Sequence, residues 1–161
     1  ITEENGVRTE RAQTSENITE EPENRIVIVG TKIIPSRGTG TFAWPTVGGY
    51  ISSQMGHRWG RTHEGIDIAR PSDFTIKASD NGVVKTAGRH ATYGNYIVIN
   101  HNNGFETLYA HLSKIDVSAG QVVAQGSAIG VMGSTGRSTG THLHLEVYKD
   151  GHVVNPLTYL N

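Results

Sequence analysis

The chain has 161 residues, with 14 Lys and Arg against 15 Asp and Glu, and no cysteine. That length holds one domain core and a small appendage. Without cysteine there can be no disulfide, no thiol nucleophile and no Cys-ligated zinc, so a metal would have to be held by His, Asp, Glu or water. No basic cluster is present to drive nucleic-acid binding, and no apolar run is long enough to span a membrane. Charge is uneven: residues 1–34 carry net −3 and residues 35–161 net +2, as two units of different origin would. The chain begins Ile1-Thr2, without Met or a signal-peptide pattern. It is therefore expected to be a fragment or a processed form, with any targeting segment upstream.

Residues 1–24 are polar, rich in Glu, Thr and Asn, and taken alone read as disordered. Residues 25–30 form a β-branched run closed by glycine, which predicts a strand that residues 31–34 extend. Residues 35–41 are crowded with turn formers. A linker is placed at 35–44, between a unit at 1–34 and a domain at 45–161. Strands are then predicted at 82–88, 95–101 and 105–112, the last two joined through Asn102-Asn103-Gly104 with its hairpin-favouring Asn-Gly pair. Two short strands flank 121–131, and further strands are predicted at 142–148 and 152–154. Short helices are allowed at 71–74 and 156–160. No apolar period of 3.6 is sustained beyond residue 45. Short strands separated by turns argue for an all-β domain, a sandwich or an open barrel.

The run His142-Leu143-His144-Leu145-Glu146-Val147 carries the strongest chemical signal. In a strand, Leu143, Leu145 and Val147 face a core, while His142, His144 and Glu146 share the other face. Two imidazoles about 7 Å apart at Cα suit a metal site or a general-base site, and equally a solvated strand face. His63 and Asp67 also share a face under period two. They read either as half of a zinc site or as a loop histidine beside a turn aspartate. Position 67 is Asp where a zincin helix needs a second His, and Gly65 argues against a helix there. In the third segment Leu108, Ala110 and Leu112 are expected to pack inward, with Thr107, Tyr109 and His111 opposite. His57, His90, His101 and His152 read as solvated loop histidines, and Arg58, Arg61 and Asp80 as solvated charges. Glu146 is either a support for a ligand histidine or, as the default, a surface glutamate. The residues alone point to a mononuclear metal site on an all-β domain.

The order of these motifs resembles the lysostaphin-like, LytM-type zinc endopeptidases that cut peptidoglycan peptides. Gly60 to Ala69 is similar to the family's His-x-x-x-Asp motif, residues 93–101 and 107–113 to its central hairpin, and Gly140 to Val147 to its His-x-His motif. The segment 133–136 leads into the last of these, and Asn155-Pro156-Leu157 resembles the family's ending. The resemblance covers about residues 45–161. It implies antiparallel sheets of short strands, of duplicated hybrid-motif type, with an N-terminal extended β arm. It implies that His63, Asp67 and His144 bind Zn²⁺ and that His111 and His142 are catalytic partners beside the metal. It implies a peptidoglycan peptide as substrate, an extracellular or cell-wall location, and a monomer. Glycines 133, 136 and 140 and the loop 89–93 are expected to wall a substrate groove, although turn chemistry accounts for most such glycines. Tyr109 is a candidate for the groove or for the core. Residues 1–34 resemble the C-terminal part of the G-five module, an extracellular β module suspected of carbohydrate adhesion. They are expected to form a β ribbon or arm, acting as a spacer or touching glycan. A non-catalytic module of the same fold, or a carbohydrate-binding β domain, are the rival classes. Loss of a ligand or catalytic histidine would favour the first, and none is lost.

Overall fold

The computed structural model describes residues 26–29, 32–58 and 60–161. The expectations for residues 1–24, and for glycan contact along 1–34, lie outside the described residues. Ile26–Val29 (β1) and Lys32–Pro35 (β2) pair antiparallel, with Val27 opposite Ile34. The second run is thus a returning strand and not an extension of the first. Pairing lets each strand's backbone groups bond to a partner instead of to water.

The turn-rich segment before residue 45 is seated on the β domain. Phe42 is fully buried against Phe105 and Val147. The Thr39 and Gly40 N–H groups donate to Asp80 Oδ2 at 2.8 and 2.9 Å, and Asn81 N–H donates to Oδ1 at 2.9 Å. Asp80, expected to be solvated, is therefore completely buried and holds this segment down. A buried carboxylate is tolerated where several donors replace its water.

The main body uses Tyr50–Ser53 (β3), Gly56–Arg58 (β4), Arg61–His63 (β5), Ile66–Ala69 (β6), Thr75–Lys77 (β7) and Gly82–His90 (β8). It continues with Gly94–Asn100 (β9), Phe105–Ile115 (β10), Val122–Val123 (β11), Ala128–Met132 (β12), Leu143–Lys149 (β13) and His152–Val154 (β14). One sheet runs β11-β8-β9-β10-β13-β6-β3, with β12 joining β10 to β7 and β14 paired on β13. The hairpin of β4 and β5 stands apart. The architecture is all-β and antiparallel. Among the described residues the only helical element is a 3₁₀ turn at Pro156–Thr158, capped by the Asn155 side chain; none forms at 71–74. No helix among them is long and apolar enough to cross a membrane.

Alternation decides what faces the core. Ile66 and Ile68 of β6 and Leu143 and Leu145 of β13 are fully buried together, as period two requires. Each such side chain contributes about 1.5–3 kcal/mol by leaving water. His144 stands opposite Asp67 in this pairing, so both project from the other face.

Strand β10 breaks the alternation. Ile97 pairs with Tyr109, but Asn95 pairs with Leu112, so Ala110 and His111 together oppose the single Tyr96. This is a β-bulge. His111 takes φ +67°, a left-handed conformation that costs a non-glycine residue about 1–2 kcal/mol. The phase changes there. Tyr109 and Leu112 both enter the core, whereas simple alternation would have put them on opposite faces. The expected grouping of Tyr109 with His111 is therefore wrong. Tyr109 is fully buried, its hydroxyl taking the Ser79 N–H at 2.9 Å and lying 2.9 Å from Thr107 Oγ1. His101, expected in solvent, closes the same chain: Nε2 lies 2.9 Å from Thr107 Oγ1, and Nδ1–H donates to the Asn81 carbonyl at 2.7 Å. Burial lowers its pKa, so it packs as a neutral ring.

Candidate active site

Four histidines and two carboxylates meet above β6, β13 and the β10 bulge. His63 ends β5 and Asp67 lies in β6, two strands separated by Glu64 and Gly65. Gly65 permits this join: a Cβ there would come within 2.2 Å of the Leu145 carbonyl oxygen. His63 Nε2 lies 3.2 Å from Asp67 Oδ1 and 3.2 Å from His144 Nδ1, and that Nδ1 is 2.9 Å from the same Oδ1. Three N/O atoms thus form a small, nearly equilateral triangle. Ligands about 2.0–2.1 Å from a tetrahedral zinc stand about 3.3 Å apart, so the donor set fits that ion closely.

The tautomers also fit. A backbone carbonyl can only accept, so His63 carries its proton on Nδ1, which donates to the Gln54 carbonyl at 2.9 Å. Its Nε2 lone pair then faces the triangle. His144 is held the other way round: Nε2–H donates to Glu146 Oε1 at 3.0 Å, leaving Nδ1 as the inward donor atom. Glu146 is only 2% exposed and takes a second hydrogen bond from Tyr93 Oη at 2.9 Å, with Tyr148 Oη donating to Oε2. The surface-glutamate default is overturned, because a fully bonded carboxylate can be buried where a bare one cannot. Burial and the Glu146 charge raise the pKa of both tyrosines, which remain hydroxyl donors.

Burial alone would raise the Asp67 pKa, but the His144 hydrogen bond and the charges of His142, His63 and His144 outweigh it, and the net shift is downward. For His144 burial pulls down, and the bonds to Asp67 and Glu146 lift its pKa to about 9.

His111 and His142 lie beside the triangle, with ring centroids 4.9 Å apart. His111 Nδ1–H donates to the Thr135 carbonyl at 2.8 Å and His142 Nδ1–H to the Gly140 carbonyl at 2.8 Å. Each ring therefore offers a bare Nε2, and that of His142 points toward Asp67 Oδ1 at 3.6 Å. Burial lowers the His111 pKa and keeps it neutral, a proton acceptor. Only the bulge brings His111 here. Regular alternation after Tyr109 would turn it into the core.

The cluster floors a cleft of about 650 Å³, walled by β5 with Glu64 and by residues of the segments 90–93 and 137–142. His90, Thr92 and Tyr93 line it as expected, and Gly133, Gly136 and Gly140 do not. Gly136, at φ +73°, is pressed against Gly94, where a Cβ would come within 2.2 Å of the Gly94 nitrogen. Gly136 and Gly94 let their two segments close on each other, and do not themselves offer space to a substrate. Sequence reading missed Tyr93 and Tyr148 as supports of the site, although Tyr148 continues the period-two face of His144 and Glu146 and Tyr93 opens the motif at 93–101.

Three N/O donor atoms at metal-ligand spacing, two imidazoles beside them and an open cleft make a candidate metal centre. The Peptidase family M23 model matches residues 61–156, and the G5 domain model matches residues 1–32. The chain therefore belongs to peptidase family M23. It is 48% identical over 110 residues to the DD-carboxypeptidase/endopeptidase Mpg of Neisseria meningitidis serogroup B, covering 68% of this chain and 25% of that protein. It is 46% identical over 95 residues to the peptidoglycan DD-endopeptidase ShyA of Vibrio cholerae, covering 59% and 22%. Among solved structures, a zinc-containing peptidase from Vibrio cholerae superposes with TM-score 0.66 at 32% identity, covering 81% of this chain and 44% of that one. The chain spans about a quarter of the length of these curated relatives.

Proposed function

We propose that the chain is a zinc endopeptidase that hydrolyses peptide bonds of bacterial peptidoglycan, in a cross-link or a stem peptide. The observation that carries this reading is the His63–Asp67–His144 triangle with two Nε2 atoms left bare beside it. The named activities of the M23 relatives point the same way. His63, Asp67 and His144 would hold the metal. Bound there, zinc supplies a Lewis acid that polarises the scissile carbonyl and acidifies water. One of the imidazoles of His111 and His142 accepts the proton of the attacking water through Nε2. The pair then stabilises the developing oxyanion and passes a proton to the leaving amine. The backbone carbonyls that fix their Nδ1–H groups keep both rings aimed at the cleft. Residues 45–161 act as the peptidase unit, with 35–44 joined to it and 1–34 as an appended β segment that spaces it or touches glycan. The substrate places the protein outside the cell, in the wall, and the chain works as a monomer.

The purified, zinc-loaded chain is expected to release new amino groups from peptidoglycan, and chelation is expected to stop this until zinc is restored. Activity that survives complete metal removal would defeat the proposal. Glu146 has a separate expectation. Glu146→Ala leaves His144 free to rotate and to bond through either nitrogen, so zinc affinity is expected to fall about 10- to 100-fold. Competition with a chromogenic chelator measures this without any activity assay.

A further inference from the structure

The cleft holds two guanidinium groups, Arg61 and Arg137, and three carboxylates. Two of those carboxylates are already engaged: Asp67 in the donor triangle, and Glu146 with His144 and two tyrosines. Only Glu64 is left to offset the arginines, and no ion pair joins it to either among the described residues. The cleft therefore holds two guanidinium groups that pair with no carboxylate among the described residues, next to its chemistry.

Arg137 is the better placed of the two. Its N–H donates to the Thr92 carbonyl at 2.8 Å. The preceding Gly136 backs onto Gly94, and Thr135 Oγ1 takes the Asn95 N–H at 3.0 Å while donating to the Leu112 carbonyl at 2.7 Å. Thr135 also accepts from His111, and Ser138 Oγ lies 3.3 Å from His142 Nδ1. Arg137 thus stands between the residues that hold the two unligated histidines, on a loop fixed to both. Arg61 sits on β5, which among the described residues pairs only with the short strand β4. The Arg137 side chain is exposed and makes no hydrogen bond or ion pair among the described residues.

We infer that Arg137 selects substrates, by binding a free carboxylate of the peptide that occupies the cleft. This rests on the peptidase reading and names the class of peptide it prefers: acidic stem peptides over uncharged or amidated ones. A guanidinium offers two parallel donors that match a carboxylate, and an amide presents one acceptor and no charge. An oligoglycine segment has no carboxylate to offer within its run. The carboxylate can be the peptide's C-terminal group or a side-chain group near the scissile bond.

The test uses one synthetic cross-linked stem-peptide dimer in three forms: both carboxylates free, the C-terminal one amidated, or the side-chain one amidated. The wild-type protein is expected to favour the free acid over one amidated form about tenfold in kcat/KM, mainly through KM; the open cleft keeps the factor modest. The form that loses activity identifies which carboxylate is read. In Arg137→Ala that ratio is expected to fall to about one, and Arg137→Lys to restore part of it. The same preference is expected in Kd for the metal-free protein, measured by calorimetry. Equal handling of all three forms by the wild type overturns the inference, as does an equal loss on all three in Arg137→Ala. Arg137-dependent binding without any cleavage would instead defeat the peptidase reading and leave the carboxylate site standing.

Discussion

Asp67→Ala is expected to abolish zinc binding and peptidoglycan hydrolysis together, whereas His142→Ala is expected to abolish hydrolysis and keep the metal. The contrast follows from the distances. Asp67 Oδ1 touches both histidine donor atoms, at 3.2 and 2.9 Å. Without it two neutral nitrogens remain, and a divalent cation loses its only anionic ligand. Zinc content is expected to drop from about one per chain to about zero at micromolar metal. His142 is different: its Nε2 stands 3.6 Å from that oxygen, and its ring is fixed by the Gly140 carbonyl. Removing it deletes a proton carrier and no ligand. A loss of about 10²–10⁴-fold in kcat is the usual cost of such a group. Metal analysis beside a turnover assay separates the two outcomes. Loss of zinc in His142→Ala would assign that ring to the metal, and full activity in it would remove it from the mechanism.

Gly65→Ala is expected to be a strongly damaging methyl addition beside the donor triangle. The new Cβ would sit 2.2 Å from the Leu145 carbonyl oxygen, 2.9 Å from its carbon and 3.0 Å from Glu146 Cγ. Two of these atoms are backbone of the central strand β13 and cannot rotate away. The chain between β5 and β6 must then lift, and it carries His63 on one side and Asp67 on the other. Overpacking against backbone costs about 3 kcal/mol, which lowers the midpoint of a domain this size by about 10 °C. Zinc affinity is expected to fall with it, because the triangle opens at two of its corners. Thermal unfolding with and without zinc measures both effects. An unchanged melting temperature would show that this join has slack that the packing denies.

Much of the site was legible because its signals are local. The alternation of Leu143, His144, Leu145 and Glu146 survives in the structure, since period two is a property of any paired strand. The same holds for Ile66 and Ile68 around Asp67. What failed was whatever depended on long-range packing. Alternation predicted Tyr109 beside His111, and one extra residue opposite Tyr96 reversed it. Glu146, Asp80 and His101 looked solvated because charged and polar residues usually are. Each is buried because distant chain supplies its partners: Tyr93 for Glu146, Thr39 and Gly40 for Asp80, Asn81 and Thr107 for His101. The strand assigned to residues 31–34 folds back on its predecessor for the same reason: a pairing is not written in the run that enters it.

The sequence by itself determined the fold class, the motif order that marks family M23, and the identity of the five residues around the site. Alternation and turn signals suffice for the fold class, since they need only local geometry; the five candidate residues followed from the resemblance that the motif order carries, because spacing alone left each histidine open. The tertiary structure alone decided which donor atom each histidine presents. That depends on what its other nitrogen meets: Gln54 and Thr135 reach His63 and His111 from other segments, and even the near neighbours Gly140 and Glu146 meet His142 and His144 only in the folded loop and strand. It also decided that His111 reaches the cleft at all, through a left-handed residue at a point where β10 leaves β13 to pair with β12. A strained backbone is held only by the contacts that surround it, and those contacts exist only once the sheet has closed.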